Sequence, residues 1–177
     1  MKQREVILYI AMSLDGYIAK EDGDIGWLLE VEIPDEDYGY KDFVSTVDTV
    51  IMGRKTYDKV LSFGIEFPHK GRKCYVISKS RTGSDENVDY LNGDLRDLIT
   101  SLKSEEGKDI FIDGGAETVF ELMKNKLINK YVISIIPVML GSGISLFKNG
   151  RPEEKFKFIE SKTYQSGLVQ LWYQRMN

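Results

Sequence analysis

The stretch VDTVIMGRKTYDKVLSFG, residues 47–64, decides the fold class of this chain. An apolar run at 50–52 ends at a glycine, and apolar residues then recur at helical spacing over 57–61. This pattern predicts a buried strand that leads directly into a helix. Two cations, Arg54 and Lys55, stand at the helix start, where the helix dipole already contributes partial positive charge. The arrangement therefore predicts a bound anion at this position.

Strands alternate with helices along the rest of the chain. The patterns predict strands over 5–13, 48–52, 73–78, 109–113 and 130–140, helices over 35–47, 55–62, 95–106 and 116–127, and a C-terminal hairpin over 155–165 and 168–176. Asp94 is the expected N-cap of the third helix, and Gly167 is the expected hairpin turn. Continuous apolar strands are typical of a parallel sheet covered on both faces. We predict one α/β domain over residues 1–177, with a mainly parallel sheet and an antiparallel hairpin at one edge.

Composition excludes several classes of function. A net charge of −4 and a pI near 5.2, without a basic stripe, argue against a nucleic-acid binder. One cysteine and one histidine cannot form an intramolecular disulfide or a Cys/His zinc set, and no metal site is predicted. The N-terminal apolar run is too short to span a membrane. We expect a cytoplasmic protein whose first apolar run is a buried strand.

Three strand ends carry residues suited to phosphate. Arg54 and Thr56 follow one strand, Ser78 and Lys79 follow another, and a pair of glycines at 114–115 follows a third. Each has a simpler alternative: a solvated first turn, an ordinary charged loop, or glycines that only relieve a tight turn. Ligands bind at the carboxyl ends of the strands in such sheets. Three such ends in one sheet favour a dinucleotide.

Several motifs carry a resemblance to a known superfamily. The segments VIMGRKTY (50–57), GRKCYVISKS (71–80) and IDGGAETVFELM (112–123) resemble the dihydrofolate reductase superfamily in order and spacing. The segments AMSLDGYIA (11–19) and LINKYVISIIPVMLGSGISLF (127–147) look more like its other branch, the reductase domain of riboflavin biosynthesis. The resemblance covers nearly the whole chain. It implies a dihydrofolate reductase-like three-layer sandwich and NADPH as hydride donor.

The resemblance also implies the cofactor contacts. Residues that match the phosphate-binding and pyrophosphate-binding positions are Gly53, Arg54, Lys55, Thr56, Gly114, Gly115, Ala116, Glu117 and Thr118. Arg54, with Ser78 and Lys79, would contact the 2′-phosphate that distinguishes NADPH from NADH. Residues that would flank the nicotinamide are Ala11, Met12 and Ile18. A cis peptide bond is implied between Gly114 and Gly115.

A hydride acceptor also needs a group that supplies or holds a proton, and a carboxyl is the expected partner. Asp113, which ends an apolar strand, and Asp37, near a predicted helix start, are the candidate catalytic residues. Asp15 is a further candidate and, with Trp27 and Tyr38, a candidate for substrate contact. The alternatives are structural: acids are favourable at helix starts, and Asp-Gly is a turn former.

Two functions remain open. The leading hypothesis is a reductase that transfers a hydride from NADPH to a C=N or C=O bond of a small pterin-, pyrimidine- or flavin-precursor-like compound. The alternative is a nucleotide-binding module without turnover that acts as a sensor or ligand sequesterer. The apolar segment 131–147 and the C-terminal hairpin, with the resemblance, favour a homodimer, although these strands are also explained as core.

Overall fold

The structure, a computed structural model, describes residues 3–176. Its strands are β1 (Val6–Ser13), β2 (Tyr17–Ala19), β3 (Val47–Gly53), β4 (Lys73–Ile77), β5 (Gly83–Ser84), β6 (Asp89–Leu91), β7 (Asp109–Gly114), β8 (Lys130–Ile136), β9 (Ile144–Ser145), β10 (Phe156–Thr163) and β11 (Val169–Arg175). Its helices are α1 (Tyr40–Ser45), α2 (Arg54–Leu61), α3 (Leu95–Ser104) and α4 (Ala116–Lys124), with a 3₁₀ helix at Gly26–Val31.

Nine strands form one sheet in the order β10-β11-β8-β1-β7-β3-β4-β6-β5. The neighbouring strands from β8 to β6 in this order pair in parallel. At one edge β11 runs antiparallel to β8, and β10 runs antiparallel to β11; at the other edge β5 runs antiparallel to β6. The predicted α/β fold, with a mainly parallel sheet and an antiparallel C-terminal hairpin, is confirmed.

Helices cover both faces of this sheet. Helices α3 and α4 pack against one face, which includes the side chains of Ile51 and Ile112. On the other face Phe43 of α1 and Tyr57 of α2 pack in the same cluster as Phe111. Successive strand residues point to opposite faces, so adjacent residues of β7 belong to different layers. The result is a three-layer sandwich.

The predicted helix over 35–47 is wrong at its start. Helix α1 begins only at Tyr40, because the residues before it form turns. Asp35 and Tyr38 have positive φ angles of 65° and 55°, which a right-handed helix does not contain. The acidic residues of this segment therefore precede the helix instead of forming its first turn.

The predicted strand over 130–140 is too long. Strand β8 ends at Ile136, because Pro137 has no N–H group with which to continue the ladder. Further along, β9 pairs with β2 in a separate two-stranded sheet. Strands of two and three residues are too short to give a recognisable alternation of polar and apolar residues, so the sequence did not predict them.

The carboxyl ends of four parallel strands lie side by side at the same end of the central sheet. They are the ends of β1, β3, β4 and β7, at Ser13, Gly53, Ile77 and Gly114. The three strand ends that were predicted from the sequence to bind phosphate are among them.

Candidate active site

The end of β3 lies directly against the start of α4. A Cβ atom added to Gly53 would be 2.9 Å from Oγ1 of Thr118, whose side chain is buried. Glycine is therefore needed at position 53 for close approach. Its φ of −77° is open to any residue. The same glycine is the N-cap of α2, which has no side-chain cap, so the first N–H groups of α2 are left to an external acceptor.

A matching contact joins the end of β7 to the first turn of α2. A Cβ added to Gly115 would be 2.8 Å from Oγ1 of Thr56. The peptide bond between Gly114 and Gly115 is cis, as the resemblance implied, and Gly114 has a φ of 119°. Helix α4 also begins without a side-chain cap. The two strand-to-helix junctions thus interlock and place two uncapped helix starts side by side.

Arg54 makes an ion pair that the sequence did not predict. Its Nη1 donates to Oδ2 of Asp58 at 2.9 Å. Arg81 donates from Nη1 and Nη2 to the two oxygens of the same carboxylate, at 2.6 and 3.2 Å. Two guanidiniums therefore share one carboxylate, and one positive charge is in excess at this point. The only signal in the sequence was a further basic residue shortly after Lys79.

Ser78 follows β4 and lies beside Arg54, because Ile77 pairs with Gly53 in the β3–β4 register. Its buried hydroxyl accepts hydrogen bonds from the backbone N–H groups of Ser80 and Arg81, at 3.2 and 2.9 Å. Ser78 therefore holds the turn that presents Arg81. Ser78 thus has a structural role, and its contact with a cofactor phosphate stays a prediction.

A groove of about 430 Å³ opens beside Ser78 and Lys79. The aliphatic side chains of Ile77 and Leu91 form part of its wall, and its cations are Lys79, Arg96 and Lys124. Asp94 and Glu121 contribute opposite charge. Apolar walls with a few charged groups are typical of small-molecule sites, and the volume lies within their usual range of about 300–1,000 Å³.

The residues present fit a dinucleotide cofactor. Because of the glycines, no side chain lies between the two uncapped helix starts. The groove lies next to these helix starts, at the same end of the sheet. Backbone N–H groups at such helix starts bind phosphate, and a guanidinium pair suits a phosphate monoester.

The other residues predicted to contact the cofactor phosphates differ in their exposure and partners. Ala116 and Thr118 are buried at the start of α4, and Lys55 is exposed. Glu117 forms an ion pair with Lys148, which turns its carboxylate toward the loop that follows β9.

The residues predicted to flank the nicotinamide do not share one face of the sheet. Met12 and Ile18 pack against the cluster under α3 and α4. Ala11 packs on the other side with Trp27, because neighbouring residues of a strand point in opposite directions. Of the adjacent pair in β1, only one residue can therefore face a ring bound on a given side of the sheet.

Asp15 ties two loops together. Its carboxylate accepts from the Ser13 hydroxyl at 2.6 Å and from the backbone N–H groups of Leu140 and Gly141, at 3.1 and 2.7 Å. These bonds, that of Ser13 above all, hold the pKa of Asp15 below its usual range. The carboxylate supports the turn after β1 whatever else it does.

Asp37 forms the turn that leads into α1. Its two oxygens accept from the backbone N–H groups of Gly39 and Lys41, each at 3.0 Å. The bond from Lys41, followed by that from Gly39, lowers the pKa of Asp37. Asp37 therefore has a structural role, and its catalytic role stays a prediction.

Asp113 is different, because its partner is a side chain. It lies at the end of β7, and its Oδ2 is 2.9 Å from Nε2 of His69. His69 is buried, with 1% of its side chain exposed, whereas 23% of the Asp113 side chain is exposed. The histidine was considered in the sequence only as a zinc ligand, and its partner is 44 positions away. The only feature of the sequence that drew attention to His69 is that the chain has one histidine.

Two of the three residues predicted for substrate contact, Trp27 and Tyr38, belong to a small cluster that includes residues of the 3₁₀ helix. Trp27 is buried there with Ile136 and Leu168. The hydroxyl of Tyr38 donates to the carbonyl of Val31, in that helix. Within residues 3–176, the indole Nε1 of Trp27 has no hydrogen-bond partner.

A buried polar group on β11 connects this cluster to β1. Nε2 of Gln170, which is fully buried, donates to the hydroxyl of Tyr9 at 2.9 Å and to that of Ser134 at 3.1 Å. Burial raises the pKa of Tyr9 to about 12, against the opposing effect of the bond from Gln170. Tyr9 therefore stays a neutral phenol at physiological pH, on the same face of the sheet as Phe111.

Within residues 3–176, no group of three or more His, Cys, Asp or Glu side chains could hold a metal ion. None of the helices in this range has the length and hydropathy needed to cross a membrane.

Comparison with known proteins decides the family. A family model described as the RibD C-terminal domain matches residues 4–170. The chain belongs to the RibD C-terminal domain family. That family is associated with a reductase, and its match confirms the resemblance to the riboflavin-biosynthesis branch. The uncharacterized protein YwjB of Bacillus subtilis (strain 168) is 46% identical to this RibD-like chain over 174 residues, 98% of this chain and 99% of YwjB.

Solved structures share the architecture. A protein from Shewanella sp. PV-4 assigned to riboflavin biosynthesis is 34% identical, with a TM-score of 0.90, over 98% of this RibD-like chain and 99% of that one. A diaminohydroxyphosphoribosylaminopyrimidine deaminase/5-amino-6-(5-phosphoribosylamino)uracil reductase from Thermotoga maritima is 15% identical, with a TM-score of 0.69, over 98% of this chain and 57% of that one. The latter likeness shows the fold alone.

Proposed function

We propose that this protein is an NADPH-dependent reductase that transfers a hydride to a C=N or C=O bond of a small pterin-, pyrimidine- or flavin-precursor-like compound. The interlocked junctions carry the proposal: two uncapped helix starts meet where glycines leave no side chains, next to two arginines and a groove. Membership in a family associated with a reductase supports it. The Shewanella protein assigned to riboflavin biosynthesis, which is 34% identical to this chain, supports a flavin-precursor-like substrate.

The chain's own residues would bind and orient the reactants. Backbone N–H groups at the starts of α2 and α4 would hold the phosphates, with Arg54 and Arg81 at a 2′-phosphate. When bound, NADPH supplies the hydride. The protein supplies position and a polar group for the proton, and Asp113 at the end of β7 is the part-exposed carboxyl beside the junction.

Nucleotide titration tests the cofactor. We expect micromolar NADPH to quench the emission of Trp27 and Trp172, and NADH to bind at least tenfold more weakly, a difference of about 1.4 kcal/mol. Arg54→Ala should abolish this preference. Lys73→Ala, which removes one exposed positive charge from the amino end of β4, opposite the strand ends that form the site, is the matched control and should retain it. No binding of either nucleotide at millimolar concentration would refute the cofactor assignment.

A nucleotide-binding module without turnover is the second candidate. One observation favours it: Asp15 and Asp37 are both engaged by backbone N–H groups, which leaves Asp113 as the remaining predicted carboxyl. NADPH oxidation with a panel of C=N and C=O heterocycles separates the two functions. Tight NADPH binding with no oxidation across the panel would favour the module.

We also propose that the protein is a cytoplasmic homodimer. Strand β10 ends the sheet and exposes Phe156, Phe158 and Ile159. The outer side of an edge strand that exposes apolar side chains is a template for pairing with another chain, and a second copy would cover it. The free Cys74 thiol is consistent with a reducing compartment.

A further inference from the structure

The carboxylate of Asp85 joins helix α2 to strand β6. Its Oδ2 accepts hydrogen bonds from the phenol hydroxyl of Tyr57 in α2 at 2.9 Å and from that of Tyr90 in β6 at 2.6 Å. Its Oδ1 accepts from the backbone N–H groups of Asn87 and Val88, at 2.9 and 3.0 Å. A carboxylate has about four acceptor sites, and these donors occupy them. Asp85, Tyr57 and Tyr90 together form what we call the Asp85 clamp.

The charge of Asp85 is maintained by these bonds. Burial would raise the pKa of its carboxyl, but the hydrogen bonds from Tyr90, Asn87, Tyr57 and Val88 outweigh this effect and hold the pKa below the usual range. The residue lies at the surface, whereas Tyr57 is buried. The clamp therefore ties a surface segment to a side chain of the core.

Tyr90 connects the Asp85 clamp to the arginine pair. The guanidinium of Arg81 lies over the ring of Tyr90, with Cζ 5.7 Å from the ring centroid. A guanidinium within about 6 Å of a ring centroid is attracted by the negative face of the ring. Arg54 lies on the same helix as Tyr57, one turn earlier. The two phenols that meet on one carboxylate oxygen thus belong to the two parts of the chain that carry the two arginines.

The acids beside the arginine pair differ in what they contact. Asp58 accepts directly from Arg54 and Arg81, so it competes with a phosphate for the same N–H donors. The oxygens of Asp85 are occupied by phenols and backbone N–H groups, so its effect on Arg81 passes through Tyr90.

We infer that Asp85 and Tyr90 are positioning residues that set the placement of Arg81 relative to Arg54, and that they thereby determine how strongly the site prefers a nucleotide with a 2′-phosphate. The inference rests on the proposed function and deepens it. A guanidinium binds a phosphate through a planar fork of N–H donors, so its orientation decides how many of these donors reach the phosphate. Two guanidiniums can bind one phosphate only when both forks converge on it.

Charge and placement predict opposite results for Asp85→Asn. Removal of a negative charge near a phosphate site would by itself raise the affinity for NADPH. The amide has one acceptor oxygen in place of two, so it can accept from only about two of the present donors, and the clamp is weakened. We expect the affinity for NADPH to fall by about fivefold or more, and the affinity for NADH to stay within about twofold of wild type, in isothermal titration.

Asp89→Asn is the matched control. It removes the same charge from an exposed position next to Tyr90 on β6. NADPH should bind to this variant at least as tightly as to wild type. A rise in NADPH affinity in both variants would show an effect of charge alone and would overturn the inference.

Substitutions of Tyr90 test the same connection without a change of charge. Tyr90→Phe retains the ring under Arg81 but loses the hydrogen bond to Asp85, and Tyr90→Leu loses both. The preference for NADPH over NADH should fall several-fold in Tyr90→Phe and should be nearly lost in Tyr90→Leu, with the fold checked by circular dichroism. If Asp85→Asn and Tyr90→Phe lower the urea midpoint but leave the preference unchanged, or weaken both nucleotides equally, the clamp is only structural and the inference fails.

Adenosine 2′-monophosphate separates this inference from the proposed function, because it carries the 2′-phosphate without a nicotinamide. If NADPH is preferred and the Asp85 and Tyr90 variants keep that preference, the cofactor assignment stands and the inference fails. If adenosine 2′-monophosphate binds more tightly than adenosine 5′-monophosphate and loses this advantage in Tyr90→Phe, but NADPH itself does not bind, the inference stands and the reductase proposal fails. If neither NADPH nor adenosine 2′-monophosphate binds at millimolar concentration, both fail.

Discussion

The interlocked junctions make a sharp prediction about Gly53. Gly53→Ala adds one methyl group at a position whose backbone, with φ −77° and ψ 154°, suits any residue. Its cost must therefore come from the contact with Thr118. The Cβ would lie 2.9 Å from Oγ1 of that residue, about half an ångström closer than an ordinary contact of this kind. Thr118 cannot turn away cheaply, because its side chain is buried among close-packed neighbours.

Overpacking of this type costs about 1–3 kcal/mol. For a chain of this length each kcal/mol lowers the melting temperature by about 2–4 °C, so a loss of about 2 kcal/mol lowers it by about 4–8 °C. In a Thr118→Ala background the obstructing oxygen is gone, and the same glycine substitution should cost less than about 0.5 kcal/mol. In a Thr118→Val background, which retains an atom at that position, the cost should persist.

Urea unfolding of the four proteins in this double-mutant cycle measures the coupling directly. Gly93→Ala is the matched control, since its added Cβ would meet its nearest neighbour, Leu91, at an ordinary 3.6 Å. We expect that control to change the free energy of unfolding by less than about 0.5 kcal/mol. The reasoning is refuted if Gly53→Ala costs as much without Oγ1 of Thr118 as with it, or if it costs no more than the control.

Three further predictions concern other parts of the molecule. Asp58→Asn should free the guanidiniums of Arg54 and Arg81 from their ion pairs. The affinity for NADPH, measured by isothermal titration, should then rise several-fold more than the affinity for NADH. Equal changes for both nucleotides would contradict the assignment of this arginine pair to the 2′-phosphate. The pKa of Asp15 is lowered in the folded state, so its stabilising effect is present above the usual aspartate pKa and is lost as the pH falls through the folded-state value. The urea midpoint of Asp15→Asn should accordingly lie further below wild type at about pH 7 than at about pH 3, and a difference independent of pH would count against it. Phe158→Glu should convert the proposed homodimer to a monomer in light scattering, and a wild-type protein that is already monomeric at micromolar concentration would contradict the proposed pairing through β10.

The fold was largely predictable because its signals are local. An apolar run that ends in glycine and leads into a helical repeat fixes β3 and α2 within about eighteen residues. Asp94 caps α3 as predicted, with its carboxyl accepting from the N–H group of Arg96 at 2.8 Å. Such features depend on a few neighbouring residues, and the strand-to-helix alternation then determines the class of sheet.

The site was only partly predictable, because its partners are distant in the chain. Asp113 could be singled out as a charge at the end of an apolar strand, but nothing near it in sequence indicates His69. Asp15 accepts from residues 125 and 126 positions away, so its structural role could not be read from the turn that contains it. Asp37 was placed on a helix that begins later, because turns with positive φ interrupt the apolar pattern.

The reciprocal contacts of the two junctions also constrain how this site can change over evolution. Position 53 excludes a side chain because of Thr118, and position 115 excludes one because of Thr56. A variant that gains a side chain at either glycine is therefore destabilised unless its threonine partner has already become smaller. The two loops must diversify as coupled pairs, and a library intended to change the nucleotide preference of this protein should vary 53 together with 118, and 56 together with 115.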